Sequence, residues 1–457
     1  LEARASGVST PAIFRVTVSP GSPAKISAVT GPVFSGVVGK AITPVPSVIV
    51  RDAGGNPVPN ASVQWTALGG SQINGATSLR SQTDSQGIAT ISWSLGHEVG
   101  SDSLVASING DSIVFVATAV ADAPHTVRHI SPTDVLEGVV GKKAPQPLVA
   151  RVEDQYGNPI AGVAVTWTGD GSVTTSGQSG PDGRVTGEWI FGTKAGPQSV
   201  RPAASGLVSA GQARANVAHG PASSLKCVAG HVYCDGQVIV GTVGQPLSSN
   251  LQIVVQDEYG NPVSGATVTW SANDGSLSNT TSVTNSSGVA NTTWTMPTKV
   301  TPTPITAVAV VEGVSSSYAW QARPNPDLSS AAIEFVDGTD ALGDTIGVTM
   351  KPLVVIVKDR YDNPIPNKQV SWLRSEGSDL TPLSTTSITD SEGRASMSYN
   401  LGFRAGRWKA IARVGTRSIE HEYTVSPGAL VGLQKVVDIV PSDTIGSSHT
   451  LRVVSVD

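Results

Sequence analysis

The sequence predicts an all-β chain of tandem β-sandwiches. Three observations carry that reading: a unit of about a hundred residues written four times, apolar residues alternating with period two, and a composition hostile to helices. Of 457 residues, 49 are Gly, 30 are Pro and only 14% are charged. Gly costs about 1 kcal/mol and Pro about 3 kcal/mol inside a helix, so this mixture suits short strands joined by many turns. The net charge of −5 gives no footing for general nucleic-acid binding. The longest apolar runs, such as residues 353–357, fall far short of a membrane-spanning helix. With Leu1 in place of an initiator Met and no visible signal peptide, the chain is expected to be processed or partial.

Repetition is the strongest signal. Asp52-Ala-Gly-Gly-Asn-Pro57 recurs as Asp154-Gln-Tyr-Gly-Asn-Pro159, Asp257-Glu-Tyr-Gly-Asn-Pro262 and Asp359-Arg-Tyr-Asp-Asn-Pro364, at intervals of 102, 103 and 102 residues. A Trp follows each Asp after 13 residues: Trp65, Trp167, Trp270 and Trp372. Next comes a turn glycine (Gly87, Gly183, Gly288, Gly393), and six residues later a second aromatic, Trp93, Trp189, Trp294 or Tyr399.

Each element has a physical reading. In residues 251–257, Leu251, Ile253, Val255 and Asp257 share one face of a strand, and Leu353, Val355, Val357 and Asp359 repeat that register. The Asp therefore sits at the rim of the inward face, where its carboxylate can accept N–H groups of the turn that follows. Gly or Asn supplies the positive φ there and Pro fixes the exit. The chain re-enters as Val163, Val165 and Trp167, again with period two, so the repeated Trp is expected to plug a core between two sheets. A second turn, Thr83 to Gly87 and Thr389 to Gly393, leads into the strand of the second aromatic.

Units of this size with closely spaced strands read as immunoglobulin-like sandwiches. The Asp-x-x-Gly-Asn-Pro turn, the Val-x-Trp strand, Thr-Asp-x-x-Gly-x-Ala and the later Leu-Gly-x-x-x-Gly (Leu95 to Gly100, Leu401 to Gly406) together resemble the group 1 bacterial Ig-like domains, the repeats of invasin and intimin. Repeat 3 departs from the pattern, with Pro297 and Thr301 in place of the paired glycines, and repeat 4 has Asp362 before Asn-Pro. The expected organisation is a closing strand of a preceding repeat or an extended arm (1–20), repeat 1 (21–122), repeat 2 (123–219), repeat 3 (220–323), repeat 4 (324–427) and the start of a fifth, incomplete repeat (428–457). Short Pro-containing links predict a semi-rigid rod.

Reactive chemistry is thin. No nucleophile elbow, zincin helix or phosphate loop is present, the seven His fall at unrelated positions, and His125 and His129 lie four apart in extended chain. No enzyme activity, cofactor or metal is expected. The repeated Asp residues each offer one carboxylate, whereas Ca²⁺ wants six to eight oxygens, so they read as turn caps. Cys227 and Cys234 are the only cysteines, and a disulfide closing their loop fits an oxidising, extracytoplasmic compartment. In repeat 4, Arg404, Arg407, Lys409, Arg413 and Arg417 surround Trp408 with no acidic residue among them. Trp408 stands where other repeats carry Asp102 or Gln198, so it reads not as a core plug but either as a partner contact, on a protein or on anionic lipid without spanning it, or as a Trp lying over a neighbouring loop of a solvated strand.

The combined expectation is a non-catalytic, extracytoplasmic spacer or scaffold acting through other proteins and not nucleic acid. The resemblance implies a bacterial cell-surface or adhesin-type stalk. Alternatives are an extrinsic scaffold subunit of a large membrane complex, such as a photosynthetic reaction-centre–antenna assembly, and a carbohydrate-binding array.

Overall fold

Alternation along the strands decides the layers. In Ser47–Asp52 and Leu251–Gln256 every second side chain is buried, so each strand turns one face to a core and the other outward. The computed structural model describes residues 2–337, 346–347, 349–427, 432–435 and 453–456. The chain divides into two compact units, Leu1–Gly220 and Pro221–Asp457. Apart from one short 3-10 turn, Leu328–Ser330, its described regular elements are strands, and no described helix is long and apolar enough to cross a membrane.

In repeat 1, a three-stranded sheet (Pro23–Ala28, Ser47–Asp52, Ile88–Thr90) faces a five-stranded one. The latter runs Val33–Val37, Asp111–Val120, Gly100–Ile108, Ser62–Leu68, Ser78–Gln82. Val33–Val37 pairs in parallel with Asp111–Val120, and the other neighbours are antiparallel. Repeat 3 copies this layout strand for strand, from Ser224–Cys227 to Tyr318–Asn325. Repeat 4 has the three-stranded sheet (Ala332–Asp337, Leu353–Lys358, Arg394–Met397) and, among the described residues, four strands opposite it. The fold class is all-β, in tandem immunoglobulin-like sandwiches.

Repeat 2 differs. Its Trp strand, Thr166–Gly169, ends the four-stranded sheet, while Ser172–Thr175 pairs with Arg184–Ile190 in the opposite, five-stranded sheet. Chain length explains the switch. Only 16 residues separate Trp167 from the turn Gly183, against 22, 18 and 21 in repeats 1, 3 and 4. Sheets pack about 10 Å apart and a strand advances about 3.3 Å per residue, and this shortest segment, after pairing in the far sheet, returns only alongside Val163 to Val165, short of Trp167.

Near the start of the chain, Ala12–Ile13 pairs antiparallel with Glu2–Ala3, and Ile13, Phe14, Val16 and Val18 are exposed. Gly432–Lys435 pairs antiparallel with Val453–Val456. The rest of the expected fifth repeat, Asp457 included, lies outside the described residues.

Candidate functional site

The repeated Asp is a built centre in every repeat. In repeat 2, Asp154 Oδ1 accepts the backbone N–H of Tyr156 at 2.8 Å and of Asn158 at 2.9 Å. Asp359 does the same for Tyr361 and Asn363, Asp257 for Tyr259 and Asn261, and Asp52 for Gly54 and Asn56. The second carboxylate oxygen reaches back along the chain. Asp52 Oδ2 accepts Gly21 N–H at 2.8 Å, Asp154 Oδ2 accepts Asp122 N–H at 3.0 Å, and Asp359 Oδ2 accepts Asp327 N–H at 3.1 Å. One side chain thus closes its own turn and pins the segment that leads into its repeat.

Hydrogen bonds set the charge state. The Asp52 carboxyl is lowered to about 2, chiefly by the N–H of Gly21 and then by Asn56. Burial pushes Asp154 and Asp359 up, but hydrogen bonds from the Asn side chain and backbone N–H groups outweigh it, and both lie below the usual carboxylate range.

The Asn of Asn-Pro carries the second half of the site. Asn158 donates from Nδ2 to Asp154 Oδ2 at 2.8 Å and to His97 O at 2.8 Å, and its Oδ1 accepts Val99 N–H at 3.0 Å. His97 and Val99 belong to the Leu95-to-Gly100 turn of repeat 1. In the other unit, Asn363 donates to Thr298 O at 2.8 Å and accepts Val300 N–H at 2.9 Å from the matching turn of repeat 3. Pro297 and Thr301 therefore change that turn's sequence without removing the grip. Tyr156 stacks on His97 with ring centroids 4.2 Å apart and lies against Gly39 at φ +71°, where an added Cβ would meet its hydroxyl at 2.6 Å. Tyr361 lies against Gly244 in the same way. Polar contacts around each centre differ. Asp122 is bound by Lys40 at 3.6 Å and Gln155 at 2.9 Å, whereas Asp327 meets Arg360 at 3.2 Å and Lys299 donates to the Tyr361 carbonyl.

Sequence reading found the Asp cap and missed the Asn and Tyr roles. Two signals were available: the identical Asn in all four turns, and a Tyr two residues after the Asp in repeats 2, 3 and 4, where repeat 1 has Gly54.

The repeated Trp residues split into two groups. Trp65, Trp270 and Trp372 are fully buried, and their indole N–H groups donate to Ser81, Ser282 and Ser387 at 2.9, 2.8 and 2.8 Å. Trp167 is only half-buried, and its Nε1, though sealed from solvent, has no hydrogen-bond partner. Trp167 packs against both buried clusters of repeat 2, but the flanking strand that covers its counterparts joined the other sheet.

Cys227 and Cys234 are joined by a disulfide with Cα atoms 5.4 Å apart, closing the excursion between Ser224–Cys227 and Ile239–Thr242. The Trp408 cluster is less exposed and less basic than its sequence implies. Trp408 is half-buried, packs on the core of repeat 4, and its indole donates to Arg404 O at 3.0 Å. Arg407 pairs with Glu422 at 3.2 Å and Lys409 with Glu420 at 2.9 Å. Arg413 lies opposite Ser418 in the ladder, and Arg417 opposite Val414. In repeats 1 and 2 the Trp408 position holds Asp102 and Gln198, which accept the N–H of Gly96 and Gly192. In repeat 4, Asp379 takes the neighbouring Arg404 N–H instead.

A polar cleft in repeat 1 is lined by Gln64, Arg80 and Asp111, whose groups are bonded to Ser78, to Gln64 and to the N–H of Ile26. Among the described residues, no group of three His, Cys, Asp or Glu is placed to hold a metal.

The family model for the bacterial Ig-like domain (group 1) matches residues 44–121 and 247–320. The inverse autotransporter adhesin YeeJ of Escherichia coli (strain K12) is 25% identical over 359 residues, covering 73% of this chain and 14% of that protein. The chain thus spans a small part of this curated relative. Among solved structures, the Escherichia coli adhesin FdeC aligns at 18% identity and a TM-score of 0.43, covering 67% of this chain and 99% of that one. Invasin, described as a bacterial integrin-binding protein, aligns at 16% identity and a TM-score of 0.36, covering 90% of this chain and 80% of that one. The family match thus falls on repeats 1 and 3, and the same turn and Trp motifs recur in repeats 2 and 4.

Proposed function

We propose that this chain is a non-catalytic, extracytoplasmic stalk of adhesin type, whose modules are the repeats bounded at 21–122, 123–219, 220–323 and 324–427. Its work is geometric: it holds protein-binding surfaces at a distance from a bacterial cell. The observation that carries this reading is the two-sided grip of Asn158 and Asn363, which ties one repeat's turn to the backbone of the repeat before it. A stalk needs its modules held at fixed angles, and the Asn side-chain bonds between repeats 1 and 2 and between repeats 3 and 4 supply stiffness at those two joints. Likeness to an inverse autotransporter adhesin supports the surface location, and a disulfide suits an oxidising exterior.

The test is a distance distribution. Spin labels on exposed positions of repeats 1 and 2, in the full chain, should give one narrow peak that broadens in Asn158→Ala combined with Tyr156→Ala. A broad distribution already present in the unsubstituted chain would overturn the stalk reading.

A further inference from the structure

Repeat 4 ends in the kind of turn that a following repeat grips at the two joints described above. Leu401 to Gly406 stand where repeat 1 has Leu95 to Gly100 and repeat 3 has residues 296–301. At each of those joints the Asn and Tyr of the following repeat meet three features. These are a carbonyl (His97 or Thr298), an N–H two residues later (Val99 or Val300) and a glycine at positive φ (Gly39 or Gly244). The glycine is tied to its turn, Gly39 N–H donating to Gly96 O at 2.9 Å and Gly244 N–H to Pro297 O at 3.0 Å.

Repeat 4 has all three. Gly347, at φ +80°, donates to Gly402 O at 3.2 Å. Phe403 O and Ala405 N–H fall at the positions of the gripped carbonyl and amide, and neither has a hydrogen-bond partner among the described residues. The turn between them is braced, because Asp379 accepts Arg404 N–H at 3.1 Å and the Trp408 indole donates to Arg404 O at 3.0 Å. The Phe403 ring takes the place of the His97 ring that stacks on Tyr156, yet it is 81% exposed. Arg404, also exposed, stands where Lys299 donates to the Tyr361 carbonyl. An exposed aromatic ring gains free energy when a partner covers it, and unpaired backbone groups fix the register of that partner.

We propose that this end of repeat 4 is a socket for a further Ig-like repeat whose turn reads Asp-x-Tyr-x-Asn-Pro. The incoming Tyr would stack on Phe403 and lie over Gly347, the incoming Asn would hold Phe403 O and Ala405 N–H, and Arg404 would reach the Tyr carbonyl. The two joints already built by this chain specify that chemistry. A second copy of the chain fits less well, since its leading turn, in repeat 1, has Gly54 where the Tyr is needed. The inference rests on the stalk reading and deepens it by naming what the socket takes.

The probe is a peptide of residues 359–365, which carries its own turn because Asp359 accepts the N–H groups of Tyr361 and Asn363 within it. It is titrated into the full chain bearing isotope-labelled alanine, and the Ala405 amide resonance is followed. A saturable shift is expected. Tyr361→Ala and Asn363→Ala in the peptide should each weaken binding roughly threefold to tenfold. Phe403→Ala in the chain, at an exposed position, should cancel the Tyr effect and leave the Asn effect. The proposal is overturned if the Ala405 resonance does not shift saturably, if either altered peptide binds like the parent, or if the Phe403→Ala chain still discriminates the Tyr. A dimer of the chain alone that the peptide competes away also overturns it, since the occupant would then be a second copy. Spin-label distances between repeats 1 and 2 do not depend on the socket, so the stalk reading stands or falls on its own test.

Discussion

The side chain of Asn158 holds the backbone of Val99, fifty-nine residues earlier, accepting its N–H at 3.0 Å while donating to His97 O two residues before. Asn158 is 6% exposed, so these bonds form out of water. Asn56, the same residue of repeat 1, is exposed, and its described side-chain bonds go to Asp52. Asn158→Ala should therefore speed amide exchange at Val99 at least tenfold and cost about 1–3 kcal/mol. Asn56→Ala should leave Val99 untouched. Exchange rates that respond equally to both substitutions would contradict the assigned grip.

Acid should loosen the Asp-capped turns. The carboxyls of Asp52, Asp154 and Asp359 are all lowered, Asp52 to about 2, so the folded state holds these protons less tightly than the unfolded chain. Their stabilisation is complete above about pH 5 and is lost as pH falls through 4 toward 2. Urea midpoints should drop over that window, and Asp154→Asn with Asp359→Asn should flatten the drop. At pH 7 each of these two substitutions should destabilise its repeat by on the order of 2 kcal/mol, leaving turn N–H groups without an anionic acceptor.

The Ser residues facing buried indoles make a matched set. Ser81→Ala, Ser282→Ala and Ser387→Ala each strand an indole N–H that the native structure satisfies, at about 1–3 kcal/mol. Trp167→Phe should cost less than Trp65→Phe, because the indole N–H of Trp167 has no bond to lose. Calorimetry of the five variants decides this, and equal losses at Trp167 and Trp65 would refute it.

Reducing the disulfide, or replacing both cysteines by Ser, should destabilise repeat 3 by about 2.5 kcal/mol on the loop-entropy estimate. Repeats 1 and 2 should be unaffected. Denaturation with and without reductant, followed by exchange in each repeat, separates the two.

Trp408→Ala should lower the stability of repeat 4 by about 1–3 kcal/mol, since the ring packs on its core. Arg407→Ala should change it by less than about 1 kcal/mol, as exposed ion pairs do. A Trp408→Ala protein with unchanged melting would restore the indole to a purely partner-facing role.

Local pattern determined much of this protein. Period-two alternation named the buried faces of Leu251–Gln256 and Leu353–Lys358, and spacing found four units, their Asp-capped turns and most of their core Trp residues. These are short-range properties, set by pleat and turn geometry within a few residues. What only the tertiary structure decided involves atoms brought together from far along the chain. Glu420 and Glu422 neutralise Lys409 and Arg407 because a hairpin places them side by side. Asn158 reaches His97 only once two repeats meet. The strand after Trp167 pairs in the other sheet and the chain returns only alongside Val163 to Val165, so the same Val-x-Trp motif is flanked by a strand in three repeats and lacks one in the other.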